Sequence, residues 1–344
     1  MPLHRSLPVW LVFSALVASL AAADSAVPGA GTSSVPANQP AATPAAATPP
    51  SAPAAPAFPS AAATPAVPAA MPDLPPKPAE DDAVQAEIAG RATPKLKELA
   101  ARQEALLAAL GKDDADQDNV KRDIQTLIFD YDAFLRTFPR FAPGYVPYGF
   151  LLGKVGMRRQ SVAILLKANE LDPEIPIVKN QLGNYLAEEG EPIEAANYYI
   201  SATQLAPDEP LYHYQLGRLL NDARDNFLKS GQWTRAQIDR TMQEAFHHAA
   251  ELAPKNIAYA YRYAQSFYDL EEPNWDEALK VWGALEDQCA PGLEKETIRL
   301  QAANILIKQK KFDHARLLLA MITTEALSTQ KQKLLDQLPA NVEK

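Results

Sequence analysis

From residue 83 onward, apolar residues recur at three- and four-residue steps, the spacing that places them on one face of a helix. Val84, Ile88, Leu96, Leu99, Leu106, Leu107 and Leu110 predict an amphipathic helix over 83–111, broken near Thr93-Pro94. The run Asp113-Asp114-Ala115-Asp116-Gln117-Asp118 that follows resembles a calcium loop only in composition. Counted from Asp114, the sixth and twelfth loop positions hold Asn119 and Gln125, where such a loop needs Gly and Glu. A polar turn with Asp118 as helix N-cap is the better expectation. A second helix, about 119–137, carries Ile124, Ile128, Tyr131 and Phe134 and stops at Pro139.

Beyond this point the pattern becomes periodic. Pro139, Pro173 and Pro207 are spaced 34 residues apart, and each has a bulky residue eight positions earlier: Tyr131, Leu165 and Tyr199. Between the prolines lie two helices' worth of pattern. The clearest unit runs Lys179-x-x-Leu182-Gly183-x-x-Leu186, a turn at Gly190, then Ala195-x-x-x-Tyr199 and Ala202. Gly183 lets a partner helix approach closely, and the small-large-small row of the second helix fits against the first. Tyr145-x-x-Tyr148-Gly149-x-x-Leu152 with Ser161, Leu165 and Ala168 forms the unit before it. His213-x-x-Leu216-Gly217-x-x-Leu220 opens the unit after it, which closes at Phe246, Ala249 and Pro254. The interval from Pro207 to Pro254 is 13 residues longer than the period. The simplest account lengthens both helices of that pair by nearly two turns each, giving a spur of about 10 Å around Phe227, Leu228 and Trp233. Two looser units follow (Tyr263-Ala264, Ala278 and Trp282; then Ala302-Ala303, Leu306, Ala315 and Leu319). A last helix over 326–338 caps the array.

The period, the Leu-Gly step and the closing proline together resemble the tetratricopeptide repeat. The resemblance covers about residues 139–322, and 94–139 more loosely. It implies an all-α fold, an α-solenoid of antiparallel helix pairs in a right-handed superhelix, whose first helices line a concave groove for peptides or partner domains. Carried onto this chain, it assigns Asn180, Asn184, Tyr214, Arg218, Tyr261, Arg262 and Gln265 to that groove as partner-binding residues, with Asn184, Arg218 and Arg262 along one wall. Phe150, Lys154, Gln181, Asn221, Tyr268 and Asn304 are their neighbours in the same mapping. The carboxylate clamp of chaperone-tail-binding members matches only at Asn184 and Arg218. Val146, Phe150 and Tyr214 occupy its other positions, so binding of that tail is not expected. Phe227, Leu228 and Trp233 on the spur form the alternative docking site.

Ahead of the helices, residues 1–23 combine His4 and Arg5 with an apolar run from Leu7 to Leu20 and Ala21-Ala22-Ala23, the plan of a cleavable export signal. Residues 24–80 are mostly Ala, Pro, Thr and Ser, with Lys77 the only basic residue, and read as an extended Pro/Ala-rich spacer. The expected organisation is therefore signal 1–23, spacer 24–80, an N-terminal helical pair 81–139, repeats 140–325 with an extended pair at 208–254, and a cap and tail 326–344. Cys289 is the only cysteine, so neither an internal disulfide nor a lipid-bearing cysteine after the apolar run is expected. No integral membrane segment remains after signal cleavage. An exported, periplasmic or extracellular location in a bacterial envelope is the expectation.

The formal net charge of −9 argues against nucleic acid or anionic lipid as partner, since both require clustered Lys and Arg. Catalytic chemistry finds little to work with. His247 and His248 are neighbours on one helix and point about 100° apart, unlike metal ligands at i and i+4. Gly153-Lys154-x-Gly156 has no preceding strand and belongs to a repeat turn, not to a phosphate loop. Neither catalytic residues, a cofactor nor a metal is expected. The function expected is a non-catalytic protein-interaction scaffold with a protein or peptide partner. The alternatives are an accessory of envelope assembly or polysaccharide export and, from another class, a hydrolase with an unrecognised site.

Overall fold

The computed structural model describes residues 79–110, 112 and 116–339, all within one compact unit. The expected signal, most of the spacer, part of the Asp113–Asp118 turn and the extreme C-terminal tail lie outside the described residues. Among the described residues there are fourteen α-helices and no strands. They are α1 (Ala79–Ala109), α2 (Gln117–Thr137), α3 (Ala142–Lys154), α4 (Arg158–Leu171), α5 (Pro176–Glu189), α6 (Pro192–Leu205) and α7 (Pro210–Asp222). Then come α8 (Arg224–Ser230), α9 (Arg235–Leu252), α10 (Ile257–Ser266), α11 (Trp275–Gln288), α12 (Leu293–Lys308), α13 (Phe312–Ala320) and α14 (Ser328–Leu335). Short 3₁₀ turns follow α10 and α13. Helices pack in sequential pairs, α3 with α4, α5 with α6, α7 with α9 and α12 with α13, and each pair stacks on the next. This is the α-solenoid of antiparallel helix pairs that the resemblance implies.

In α3, α5 and α7 a glycine marks the seam within the pair. A Cβ on Gly183 would stand 2.9 Å from the Tyr199 ring and 3.3 Å from the Ala195 carbonyl oxygen. On Gly217 it would meet the Phe246 ring at 2.9 Å, and on Gly149 the Leu165 side chain at 2.7 Å. The bulky residue eight positions before each closing proline is thus the one that fills the glycine notch. In the α3–α4 pair, Ser161 replaces the small Ala and donates its hydroxyl to the Gly149 carbonyl at 2.7 Å, so the polar substitution is satisfied in place. Two of the closing prolines are tied to the helix that follows. Tyr145 donates to the Pro139 carbonyl at 2.9 Å, and His213 lies 2.7 Å from the Pro207 carbonyl, six residues on in both cases.

Three local expectations change. Helix α1 passes through Pro94 without a break. Pro94 and Gly90, whose carbonyl loses its donor, are both exposed, so the orphaned acceptor can face solvent and the helix continues. The N-cap of α2 is Asp116, which accepts from the Asn119 N–H at 3.1 Å; Asp118 sits inside the first turn.

The third change is the spur. The 13 added residues do not lengthen both helices. First helix α7 keeps 13 residues and stops at Ala223; the addition becomes the separate helix α8, a left-handed Gly231 (φ 69°) and an α9 of 18 residues. Thr234 and Gln237 form a capping box at the start of α9. Phe227 is fully buried against Trp233, with ring centroids 5.6 Å apart, and that burial folds α8 back onto the stack. The start of α9 then clamps the next pair. Buried Asp239 accepts from Arg235 at 2.8 Å and from the Glu271 backbone N–H at 2.8 Å, while Arg235 donates to the Asp269 carbonyl at 2.6 Å.

At the C-terminal end, Glu296 of α12 accepts from the Thr323 and Thr324 backbone N–H groups at 2.9 and 2.7 Å, and from the Thr323 hydroxyl at 2.9 Å. The chain is thereby turned into α14, which buries Leu334 against α12 and α13 and leaves its polar residues outward.

Candidate functional site

A helix turns about 100° per residue, so the positions three before and one after the notch glycine lie about 60° and 100° round from it, on one side. Successive first helices therefore share a ridge beside the seam. It is formed by Val146 and Phe150 on α3, Asn180 and Asn184 on α5, Tyr214 and Arg218 on α7, Tyr261 and Gln265 on α10, and Leu300 and Asn304 on α12. The ridge is closed at some positions and open at others: Leu300 is buried and Phe150 half-buried. Val146 and Asn180 are buried, whereas Asn184, Tyr214, Tyr261, Gln265 and Asn304 are half-buried and Arg218 is exposed.

Several of these side chains are held in fixed orientations. The Tyr199 hydroxyl donates to Asn184 Oδ1 at 2.6 Å. Burial raises the Tyr199 pKa, so the hydroxyl stays protonated and the Asn184 amide nitrogen is the group left to meet Gln181, 3.5 Å away, or a ligand. Tyr214 packs against Tyr259 of the next first helix at 4.8 Å, the two rings tilted by 37°, and both are half-buried. Tyr261 stands edge-on to Trp282 at 5.2 Å and hydrogen-bonds the side chains of Gln265 and Gln301. Tyr268 donates to the Gln301 carbonyl at 2.8 Å, packs on Trp275 at 5.4 Å and bonds the Asn304 side chain. Burial raises the pKa of Tyr261 and of Tyr268, which keeps both hydroxyls neutral. The result is a row of aromatic plates edged by amides, with Arg218 as the cation beside it. Such a surface can bond backbone amides and pack small apolar rings.

Three expected site residues do not stand where the mapping put them. Asn180 is 0 % exposed, and Val146 at the equivalent position is buried as well. Arg262 sits two positions before Ala264 and so points about 160° from the seam, not along the ridge. Its guanidinium bonds Asp269 at 3.0 Å and lies 4.4 Å over the Phe246 ring, and its side chain is 16 % exposed. It locks α10 to α9, and Gln265 takes its place beside Arg218. Phe227 is core and offers nothing to a partner; Leu228 is exposed and Trp233 half-buried. The mapping passed over Tyr259 and Trp275, although the Tyr259-Ala260-Tyr261 step already put two tyrosines near one end of α10.

Elsewhere, His247 and His248 both approach Glu251, at 3.5 and 3.6 Å, and His248 lies 5.4 Å from His213 ring to ring. Among the described residues no group of His, Cys, Asp or Glu is placed to hold a metal ion. Burial pushes the Cys289 thiol up, away from the reactive thiolate. Among the described residues no helix is long and apolar enough to cross a membrane.

No family model and no curated protein matches the chain. Solved structures do resemble it. YrrB, described as a TPR protein with an unusual peptide-binding site, is 17 % identical over 60 % of this chain and 97 % of its own, with a TM-score of 0.48. The C-terminal part of a TPR repeat-containing protein from Cytophaga hutchinsonii is 16 % identical over 73 % and 99 %, with a TM-score of 0.47. PilF of Pseudomonas aeruginosa is 16 % identical over 70 % and 99 %, with a TM-score of 0.43. The notch glycines, the closing prolines and the paired helices described above are this chain's own evidence, and they make its fold a TPR-like α-solenoid.

Proposed function

We propose that this chain is a non-catalytic scaffold that binds a peptide or partner domain along the ridge of its first helices. The observation that carries this is the ridge itself. Four successive helix pairs bring Asn184, Tyr214, Arg218, Tyr261, Gln265 and Asn304 to the same two register positions. Asn184 offers an oriented amide, Arg218 a fork of donors for carboxylate or carbonyl oxygens, and the tyrosines a rigid apolar surface. Export to the bacterial envelope belongs to the same reading, and rests on the apolar run and Ala-rich end of residues 1–23.

The test uses the full chain as bait in envelope extract with chemical crosslinking, against Asn184→Ala, Arg218→Ala and, separately, Leu228→Ser with Trp233→Ser. The ridge variants are expected to lose the captured partner about tenfold each; Arg218→Ala melts as the unaltered chain does, while Asn184→Ala also removes the acceptor of the buried Tyr199 hydroxyl and melts lower. Loss confined to the Leu228 and Trp233 variants moves the site to α8 and its turn. N-terminal sequencing of the exported chain is expected to begin near Asp24; a retained Leu7–Leu20 run in the membrane fraction makes it an anchor instead.

A further inference from the structure

Helix α2 turns Ile124, Leu127, Tyr131 and Phe134 into the core. Phe129, two residues before Tyr131, points about 160° away from it. It is 68 % exposed, the highest value for a large apolar side chain among the described residues. A lone exposed apolar residue means little, but this one is bracketed. Seven residues fall only about 20° short of two full turns, so Arg122 and Arg136 share its stripe, one on each side. Both are exposed, as are Gln125 and Ala133 between them.

The cations of this stripe are available and its carboxylates are not. Arg122 reaches only the Asp118 carbonyl oxygen, at 3.4 Å, and neither Arg136 nor Arg140 forms an ion pair with a described residue. Lys95 of α1, 5.7 Å over the Phe138 ring, adds a cation at the same end of α2. Asp123 and Asp130 point about 100–120° away from Phe129, and Asp130 is held by Arg102 at 2.7 Å. Asp132 accepts from the Tyr148 hydroxyl at 2.8 Å, and Asp118 has Lys121 at 3.9 Å.

The bracket selects its partner. Two copies of this chain crossing antiparallel at Phe129 would set each Arg122 against an Arg136, so like charges disfavour symmetric self-pairing. Arg122 and Arg136 stand 14 residues, about 21 Å, apart along the helix, beyond the Debye length of about 8 Å. They act as two separate points, not as the clustered charge that lipid or nucleic acid requires. The complement is a helix with an apolar side chain at its centre and a carboxylate about two turns to either side. We propose that α2 docks an acidic amphipathic helix of another protein on its outward face, with Phe129 at the centre and Arg122 and Arg136 on carboxylates. This surface is separate from the ridge and does not depend on it.

Benzoylphenylalanine in place of Phe129, in the full chain inside the cells that make it, puts a photoreactive ring at the centre of the face. Illumination is expected to give an adduct with a different protein, at a segment of helical apolar spacing with Asp or Glu about seven residues to either side. Adding Arg122→Glu and Arg136→Glu is expected to lower the adduct yield about tenfold and leave the melting temperature unchanged, since both side chains are exposed. The control places the same probe at Leu317, 67 % exposed on the outward face of α13, where Asp313 and His314 stand beside it. It is expected not to give that adduct. No adduct at position 129, a crosslinked segment without carboxylates, a yield indifferent to charge reversal, or the same adduct from position 317 each overturn the proposal. An adduct with a second copy of this chain overturns it in favour of self-association. Phosphatidylglycerol vesicles that sediment the unaltered chain but not the charge-reversed one overturn it in favour of a membrane.

Discussion

Asp239, near the start of α9, accepts a hydrogen bond at 2.8 Å from the backbone N–H of Glu271, in the turn after α10. One buried carboxylate thereby joins the enlarged helix pair to the pair that follows it. Arg235 binds the same carboxylate at 2.8 Å and Arg224 approaches to 3.7 Å. Removing the carboxylate leaves two half-buried guanidinium groups and a backbone donor without their acceptor. Asp239→Ala is expected to lower stability by about 3 kcal/mol in chemical denaturation. A loss below 0.5 kcal/mol, the range of ordinary surface changes, would show that the clamp contributes nothing.

Gly183→Leu tests the seam. The new Cβ would stand 2.9 Å from the Tyr199 ring, with the Ala195 carbonyl close behind. Overpacking of this kind costs about 1–3 kcal/mol, and the expected result is a lowered melting temperature with helicity retained. Gly90→Ala, where a Cβ meets no atom within 4 Å, is the control and is expected to be neutral or slightly stabilising.

Arg262→Ala separates packing from recognition. The ion pair with Asp269 and the stacking on Phe246 are both lost. About 1–2 kcal/mol of stability is expected to go with them, while the captured partner's affinity stays unchanged. Arg218 is 54 % exposed and 3.9 Å from Asp222, and its substitution is expected to do the reverse. Equal affinity losses for both residues would place Arg262 on the binding surface after all.

Glu296 gives the fold an acid-sensitive point. Hydrogen bonds from Thr324 and Thr323 hold its carboxyl down at about 2, against an ordinary 4.5. The turn binds the charged form, so this contribution is complete above pH 4.5 and is lost as the pH falls towards 2. Glu296→Gln is expected to be less stable at neutral pH and to show a shallower loss of stability between pH 4.5 and 2. Parallel stability–pH curves for the two proteins in that window would rule the linkage out.

The paired helices were legible because period, notch and proline each follow from a physical necessity: a helix must stop, a seam must close, and a bulky ring must fill a notch. Even Phe246 keeps its place eight residues before Pro254, despite the insertion upstream. The insertion itself was not legible. Seven residues of α8 carry too short a pattern to show whether Phe227 faces solvent or core, and the answer came from Trp233 and the clamp at Asp239. Arg262 was misplaced for a different reason. Expected along one wall with Asn184 and Arg218, it stands two positions before Ala264, while Gln265, expected in the same groove, holds the ridge position. Asn180 shows the limit of a helical wheel, which gives a direction but not how closely the neighbouring helix stands.

The residues added to this helix pair carry a practical consequence. Everything the pair needs for registry lies outside them: Gly217 before, Phe246 and Pro254 after. Ser230, Gly231 and Gln232 are exposed at the tip, and Gly231 already turns the chain. A foreign loop or a reporter domain spliced in at Gly231, with its two ends close together, would meet a junction that has already accommodated added length once. The tip is thus the place to graft new cargo onto this solenoid without disturbing its ridge.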